Sequence, residues 1–161
     1  IYSSRGSKLM SKVKVAIIGL GGVGQVIHLP ILSKMSSVEL TAIAEINKSR
    51  LESVGEKYNI VHRYTDYREM LQKVDIDAVI IATPTSTHKD IAVDCLKAQK
   101  DILVEKPVAR TYKEAKMIFD AAQSNKKNIM VGMNLRFRPD AMLLKISTIY
   151  FPITGIKTYT Q

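Results

Sequence analysis

The chain reads as an α/β protein built on a doubly wound parallel sheet, and three observations predict this. Apolar runs of strand length alternate with segments of helical periodicity from Val13 to Gly132. The first such run, Val13 to Ile18, breaks at Gly19-Leu20-Gly21-Gly22-Val23-Gly24 and passes directly into a helix. Ala78-Val79-Ile80-Ile81-Ala82 is continuously apolar, as expected of a central parallel strand covered on both faces. Strands joined this way take right-handed crossovers, which together give a Rossmann-type domain.

Each element has its own warrant. Residues 1–10 are polar and patternless up to Met10, and are expected to be a leader or cloning remnant outside the fold. Strand one is Val13 to Ile18, with a helix expected from Val23 to Met35. Strand two, Val38 to Ala44, precedes Asn47, a residue suited to cap a helix through Tyr58. A short strand is expected at Val61 to Tyr64, then a helix capped by Asp66 and running to Lys73. After the central strand, Ser86 or Thr87 is expected to cap a helix that buries Ile91, Cys95 and Ala98. Asp101 to Val104 is the fifth strand. Thr111-x-x-Glu114 is a capping box opening a helix to Ser124, and Asn128 to Gly132 is the sixth strand. The domain is expected to span residues 11–138.

Composition narrows the function. The chain has 161 residues, 46% of them hydrophobic and 24% charged, which suits one soluble domain with a full core. Its net charge of +9 comes from dispersed basic residues, the longest pure run being Lys126-Lys127. No basic stripe carries interleaved aromatics, so attraction for small anions is favoured over nucleic acid. No apolar run reaches membrane-span length. The single cysteine, Cys95, rules out an intramolecular disulfide and suits a cytoplasmic location. It falls on an apolar helical face with Ile91, Ala92 and Leu96, where packing outweighs nucleophilic chemistry.

The glycine turn supplies the chemistry. Gly19 permits the turn off the strand, Gly21 lets backbone approach a pyrophosphate, and Gly24 lets the helix pack close to the strand. Gly22 and Val23 complete the loop, whose N–H groups face an anion at the helix start. Glu45 stands at the end of strand two, 21 residues beyond Gly24. A carboxylate there accepts hydrogen bonds from ribose hydroxyls and repels a 2′-phosphate, so the expected cofactor is NAD. Lys48 and Arg50 nearby keep NADP open, and a solvated surface glutamate is the plain alternative. Other polar groups gather at the strand ends where such sheets bind ligands: Thr83-Pro84-Thr85-Ser86-Thr87-His88, Glu105-Lys106-Pro107, and Asn134-Leu135-Arg136.

These segments, with His28-Leu29-Pro30 and Arg138-Pro139, resemble the N-terminal half of the Gfo/Idh/MocA oxidoreductases, the glucose–fructose oxidoreductase and inositol dehydrogenase group. The likeness covers about Lys12 to Arg138, and Glu105-Lys106-Pro107 is its most specific element. It implies that Thr83, Pro84 and His88, with Ala82 and Thr85 in the same segment, run along the NAD ribose and nicotinamide. It implies that Glu105 and Lys106 serve catalysis at the nicotinamide end, the lysine contacting a substrate hydroxyl. Asn134 and Arg136 match the segment leading toward the substrate pocket. The implied reaction is hydride transfer between nicotinamide and a carbinol carbon of a sugar, inositol or related polyol, usually within a homo-oligomer.

The residues fit that chemistry on their own terms. A lysine in a closed cleft polarises the hydroxyl that loses its proton, and Glu105 is expected to orient it by charge pairing. An exposed strand-end lysine is the plain alternative. His88 is balanced between cofactor contact and local hydrogen bonding. His28 is expected to pack or cap near the first helix, with a substrate-facing role as the lesser alternative, and His62 to lie at the surface. The histidines lack metal-ligand spacing, so no metal is expected. Tyr64, Tyr67 and Tyr112 are expected as packing and rim residues. The family resemblance implies a second α/β domain that forms the substrate pocket, and residues 139–161 are expected to be only its beginning. Ala141 to Tyr150 can form a helix there and Phe151 to Ile156 a strand. The chain is therefore expected to bind cofactor but turn over poorly by itself, and an uncovered apolar face would favour self-association. Two other classes use similar glycine turns. A non-catalytic NAD-binding module would not need Lys106 or Asn134, and Gly24 with Glu105-Lys106-Pro107 argues against an S-adenosylmethionine methyltransferase.

Overall fold

The computed structural model describes residues 11–133. Six strands form one parallel sheet in the order β3-β2-β1-β4-β5-β6: β1 Val13–Ile18, β2 Val38–Ala44, β3 His62–Tyr64, β4 Ala78–Ile81, β5 Asp101–Glu105 and β6 Ile129–Gly132. The order reverses between β1 and β4, which opens a crevice at their carboxyl ends. This is the doubly wound sheet that the alternation predicts.

Both sheet faces are covered, for a reason visible in the alternation of side chains along each strand. Ala16, Ile18, Val79 and Ile81 face a core shared with Met70, Ile91, Leu96 and Ile118 from the helices α3 Tyr67–Lys73, α4 Thr85–Lys97 and α5 Tyr112–Asn125. Val15, Ile17 and Ile80 face the other way, onto Leu29, Leu51 and Val54. Those come from α1, Leu29–Leu32, and α2, Lys48–Lys57. The continuous apolar run at β4 is therefore buried on both sides. Cys95 is fully buried in the first core, and burial pushes its thiol pKa up.

The caps follow the sequence in three places. Asn47 accepts from the Arg50 amide at 2.9 Å and Asp66 from the Arg68 amide at 2.9 Å. Thr111 accepts from the Glu114 amide at 3.2 Å, but the reciprocal half of that box goes elsewhere. The Glu114 carboxylate instead takes the Arg110 amide and guanidinium, at 3.0 and 2.6 Å.

Two helix starts differ from the expectation. The first helix is not α-helical throughout: Gly24–His28 forms a π turn, and α1 ends at Leu32 rather than Met35. Pro30 explains the wider turn, because it has no N–H for the Val26 carbonyl and its ring crowds that position. The Leu29 amide instead reaches back to the Gly24 carbonyl. For α4 the cap position is Pro84, not Ser86 or Thr87. Pro84 has an extended ψ of 141°, so helical geometry begins directly after it, and the Thr87 hydroxyl donates back to the Pro84 carbonyl. The Lys106–Pro107 peptide is cis.

Residues 134–161 lie outside the described part. The expectations for Asn134, Arg136 and the start of a second domain fall there.

Candidate functional site

The glycine turn is closed by contact. Gly19 has φ +92°, and a Cβ on it would lie 2.7 Å from the Ala82 carbonyl oxygen. A Cβ on Gly24 would lie 2.5 Å from the Gly19 oxygen, so β1 and the helical turn approach as only glycine allows. At Gly21 and Gly22 a Cβ would meet nothing within 4 Å, leaving the space above the loop open.

Glu45 follows the last residue of β2 and is 7% exposed, so it is not a solvated surface acid. Its Oε2 accepts from the Leu20 amide at 2.9 Å, and its Oε1 from the Asn47 amide at 2.9 Å. One carboxylate thus ties the glycine loop to the start of α2. Arg50 Nη1 stands 3.5 Å from Oε2, on a half-exposed side chain. A carboxylate has about four lone-pair positions, so two backbone donors leave room for hydroxyl donors.

A cleft of ≈ 510 Å³ opens beside these groups and is lined by Gly19, Gly21, Glu45, Ala82, Thr83 and Pro84 among the expected residues. Its far wall holds Arg50, expected near the ribose end, and Tyr67, expected at a rim, together with Thr65, Arg68 and Asp90, which the motifs did not indicate. The Tyr67 hydroxyl donates to Asp94 Oδ2 at 2.8 Å, and burial followed by that hydrogen bond pushes its pKa up. The Arg68 guanidinium lies 4.6 Å over the Tyr67 ring, with Nε 3.3 Å from Asp94. The available signal was positional, since Tyr67 and Arg68 open the helix just beyond β3 at the same sheet edge.

Other expected residues stand apart from this cleft. Gly22, Val23, Thr85, His88, Glu105 and Lys106 do not line it. His88 is 1% exposed, with Nε2 2.9 Å from the Thr83 carbonyl and Nδ1 3.0 Å from the Pro107 carbonyl. It therefore sits between the loop after β4 and the loop after β5, with one ring nitrogen facing a carbonyl of each. A neutral imidazole has one N–H and in either tautomer donates to one of the two carbonyls. Lys106 is exposed, and its ammonium has no hydrogen-bonding or ionic partner among the described residues. Glu105 does not pair with it. The Glu105 carboxylate is instead hydrogen-bonded to His28 Nε2 at 2.8 Å, with Oε2 accepting from the Lys106 amide at 3.2 Å. His28 had been expected to pack or cap.

Among the described residues, no group of three or more His, Cys, Asp or Glu is placed to hold a metal, and no helix is long and apolar enough to cross a membrane.

A doubly wound parallel sheet with an open glycine turn beneath a buried acidic strand end defines a dinucleotide-binding domain. The comparisons place it more narrowly. The chain belongs to the Gfo/Idh/MocA oxidoreductase family through its NAD-binding Rossmann fold, whose family model matches residues 13–133. An uncharacterized oxidoreductase, YrbE of Bacillus subtilis, is 32% identical over 137 residues, covering 85% of this chain and 40% of that protein. The NAD(+)-dependent scyllo-inositol 2-dehydrogenase of Bacillus subtilis is 32% identical over 128 residues, covering 80% of this chain and 37% of that one. The crystal structure of myo-inositol 2-dehydrogenase from Lactobacillus plantarum superposes with a TM-score of 0.84 at 25% identity, over 91% of this chain and 43% of that chain. The chain spans about two-fifths of the length of these relatives.

Proposed function

We propose that the chain binds NAD in this cleft and holds it for hydride transfer at a CH–OH carbon of an inositol, sugar or related small polyol. The observation that carries the cofactor reading is the buried Glu45 carboxylate, clamped to the glycine loop yet lining the cleft. The residues fit the group: Gly21 leaves open space where a pyrophosphate would pass, and the loop amides and helical start favour an anion. Glu45 would accept the adenosine ribose hydroxyls and oppose a 2′-phosphate, which favours NAD over NADP. Bound NAD supplies the hydride carrier.

The chain's own residues supply the rest. Thr83 and Pro84 line the cleft, and the cofactor would extend past them toward the end of β5. There the Lys106 ammonium, unpaired among the described residues, would hydrogen-bond the substrate oxygen and stabilise the charge left when its proton passes to a base. Glu105 fixes the backbone from which Lys106 projects. The polyol assignment is supported by the inositol dehydrogenases among the relatives, together with Lys106. Homo-oligomer formation and a cytoplasmic setting belong to the same reading. The exposed Met130 and Met133 at the β6 edge support the first, and the lone buried Cys95 the second.

Calorimetric titration of the 161-residue chain tests the cofactor reading. NAD(H) binding tighter than NADP(H) is expected, and absence of binding by either overturns it.

A further inference from the structure

His28 and Glu105 come from opposite ends of the domain's sequence and meet in a nearly enclosed pair. His28 Nε2 lies 2.8 Å from Glu105 Oε1, with side chains 14% and 11% exposed. The π turn is the local cause on the helical side, since it ends on His28 itself. A carboxylate this enclosed is costly to leave without a hydrogen-bond donor. Lys106, the neighbouring cation, does not serve as that donor through its ammonium.

The same carboxylate governs two further strand ends. Its Oε2 accepts from the Lys106 amide at 3.2 Å. It also lies against Gly132 at the end of β6, where a Cβ would stand 2.9 Å from Oε1. One side chain therefore joins the helix that follows the glycine loop, the Lys106 backbone, and the exit of the last strand.

We propose that His28 is a positioning residue for the nicotinamide end of the site: it holds the Glu105 carboxylate, so that among the described residues no carboxylate pairs with the Lys106 ammonium. This rests on the cofactor reading above. His28 touches neither cofactor nor substrate in this account. Its effect should be confined to the nicotinamide half, because Glu45, Arg50 and Tyr67, which would hold the adenosine half, line a cleft that His28 does not border.

The test compares two probes on the 161-residue chain: NADH, whose nicotinamide emission reports on that end, and ADP-ribose, which lacks the ring. In His28→Ala, NADH affinity should fall about tenfold, the scale of one lost charge-assisted hydrogen bond. ADP-ribose affinity should stay within about twofold, and the emission change of bound NADH should disappear. His28→Gln, whose amide can donate to Glu105, should recover most of both signals. Should His28→Ala melt below the assay temperature, Gly132→Ala displaces the same carboxylate from its other side and should give the same selective loss. Equal loss of both probes, an unchanged NADH signal, or a folded His28→Gln no better than His28→Ala would each overturn the assignment. If the unsubstituted chain binds neither probe, the cofactor reading falls and this inference with it. If it binds both and the variants do not separate them, only the inference falls.

Discussion

Replacing Glu45 by glutamine keeps the shape of the side chain and removes its charge and one acceptor. Glu45 now receives two backbone amides, from Leu20 and Asn47, each at 2.9 Å. Glutamine has one acceptor oxygen, so its NH₂ must face one of those N–H groups. Leu20 is fully buried, whereas Asn47 is exposed and can turn to water. The amide will therefore keep its oxygen on Leu20. The loss is then one charge-assisted hydrogen bond at a wet position, at the low end of the usual range, about 1.5 kcal/mol. For a domain of this size that lowers the melting temperature by about 4–6 °C. Affinity for NAD should drop about tenfold as the ribose hydroxyls lose an anionic acceptor, while NADP affinity holds or improves. Thermal melting and calorimetry on the same preparation read both effects. A lowered melting temperature with an unchanged NAD-to-NADP ratio would make Glu45 only a clamp on the glycine loop and refute its selecting role.

Three other outcomes follow from the packing and the charges. Gly24→Ala places a Cβ 2.5 Å from the Gly19 oxygen; the required backbone shift should outweigh the gain in helix propensity, costing about 1–2 kcal/mol in urea melts. Cys95 should resist thiol reagents at pH 8 until denaturant is added, because burial raises its pKa and removes access; rapid labelling of the folded chain would contradict its place in the core. The Lys14 ammonium holds the Asp75 carboxyl below its usual range, chiefly by hydrogen bonding, and Arg110 does the same to Glu114. A lowered folded pKa stabilises above the unfolded carboxyl value near pH 4, and that contribution disappears as pH falls through the lowered value. The stability difference between the chain and its Asp75→Asn variant should thus be small but present at pH 7 and vanish on strong acidification, as read by urea midpoints.

Much of the fold was legible because local signals and burial agree. The run at β4 is apolar throughout since helices cover both faces, and Asn47, Asp66 and Thr111 cap because each precedes an amphipathic segment. The first helix was misread where Pro30 acts at a distance, through the carbonyl four residues earlier, so a periodicity that looked α-helical accommodates a π turn. Within the site, the glycines and Glu45 were legible because their spacing encodes a local loop. The partner of Glu105 was not, because His28 lies 77 positions away and nothing local links them. Arg68 was not legible for the same reason, and Tyr67 was legible only as a rim residue: parallel strand order, not sequence distance, brings β3's end beside the cleft.

Selection of NAD by an acidic strand end above an open glycine turn is tested most directly by calorimetric titration of the unsubstituted chain with NAD(H) and NADP(H) under identical salt. Tighter binding of NAD(H) is the predicted result; equal or tighter binding of NADP(H) would contradict the role assigned to Glu45.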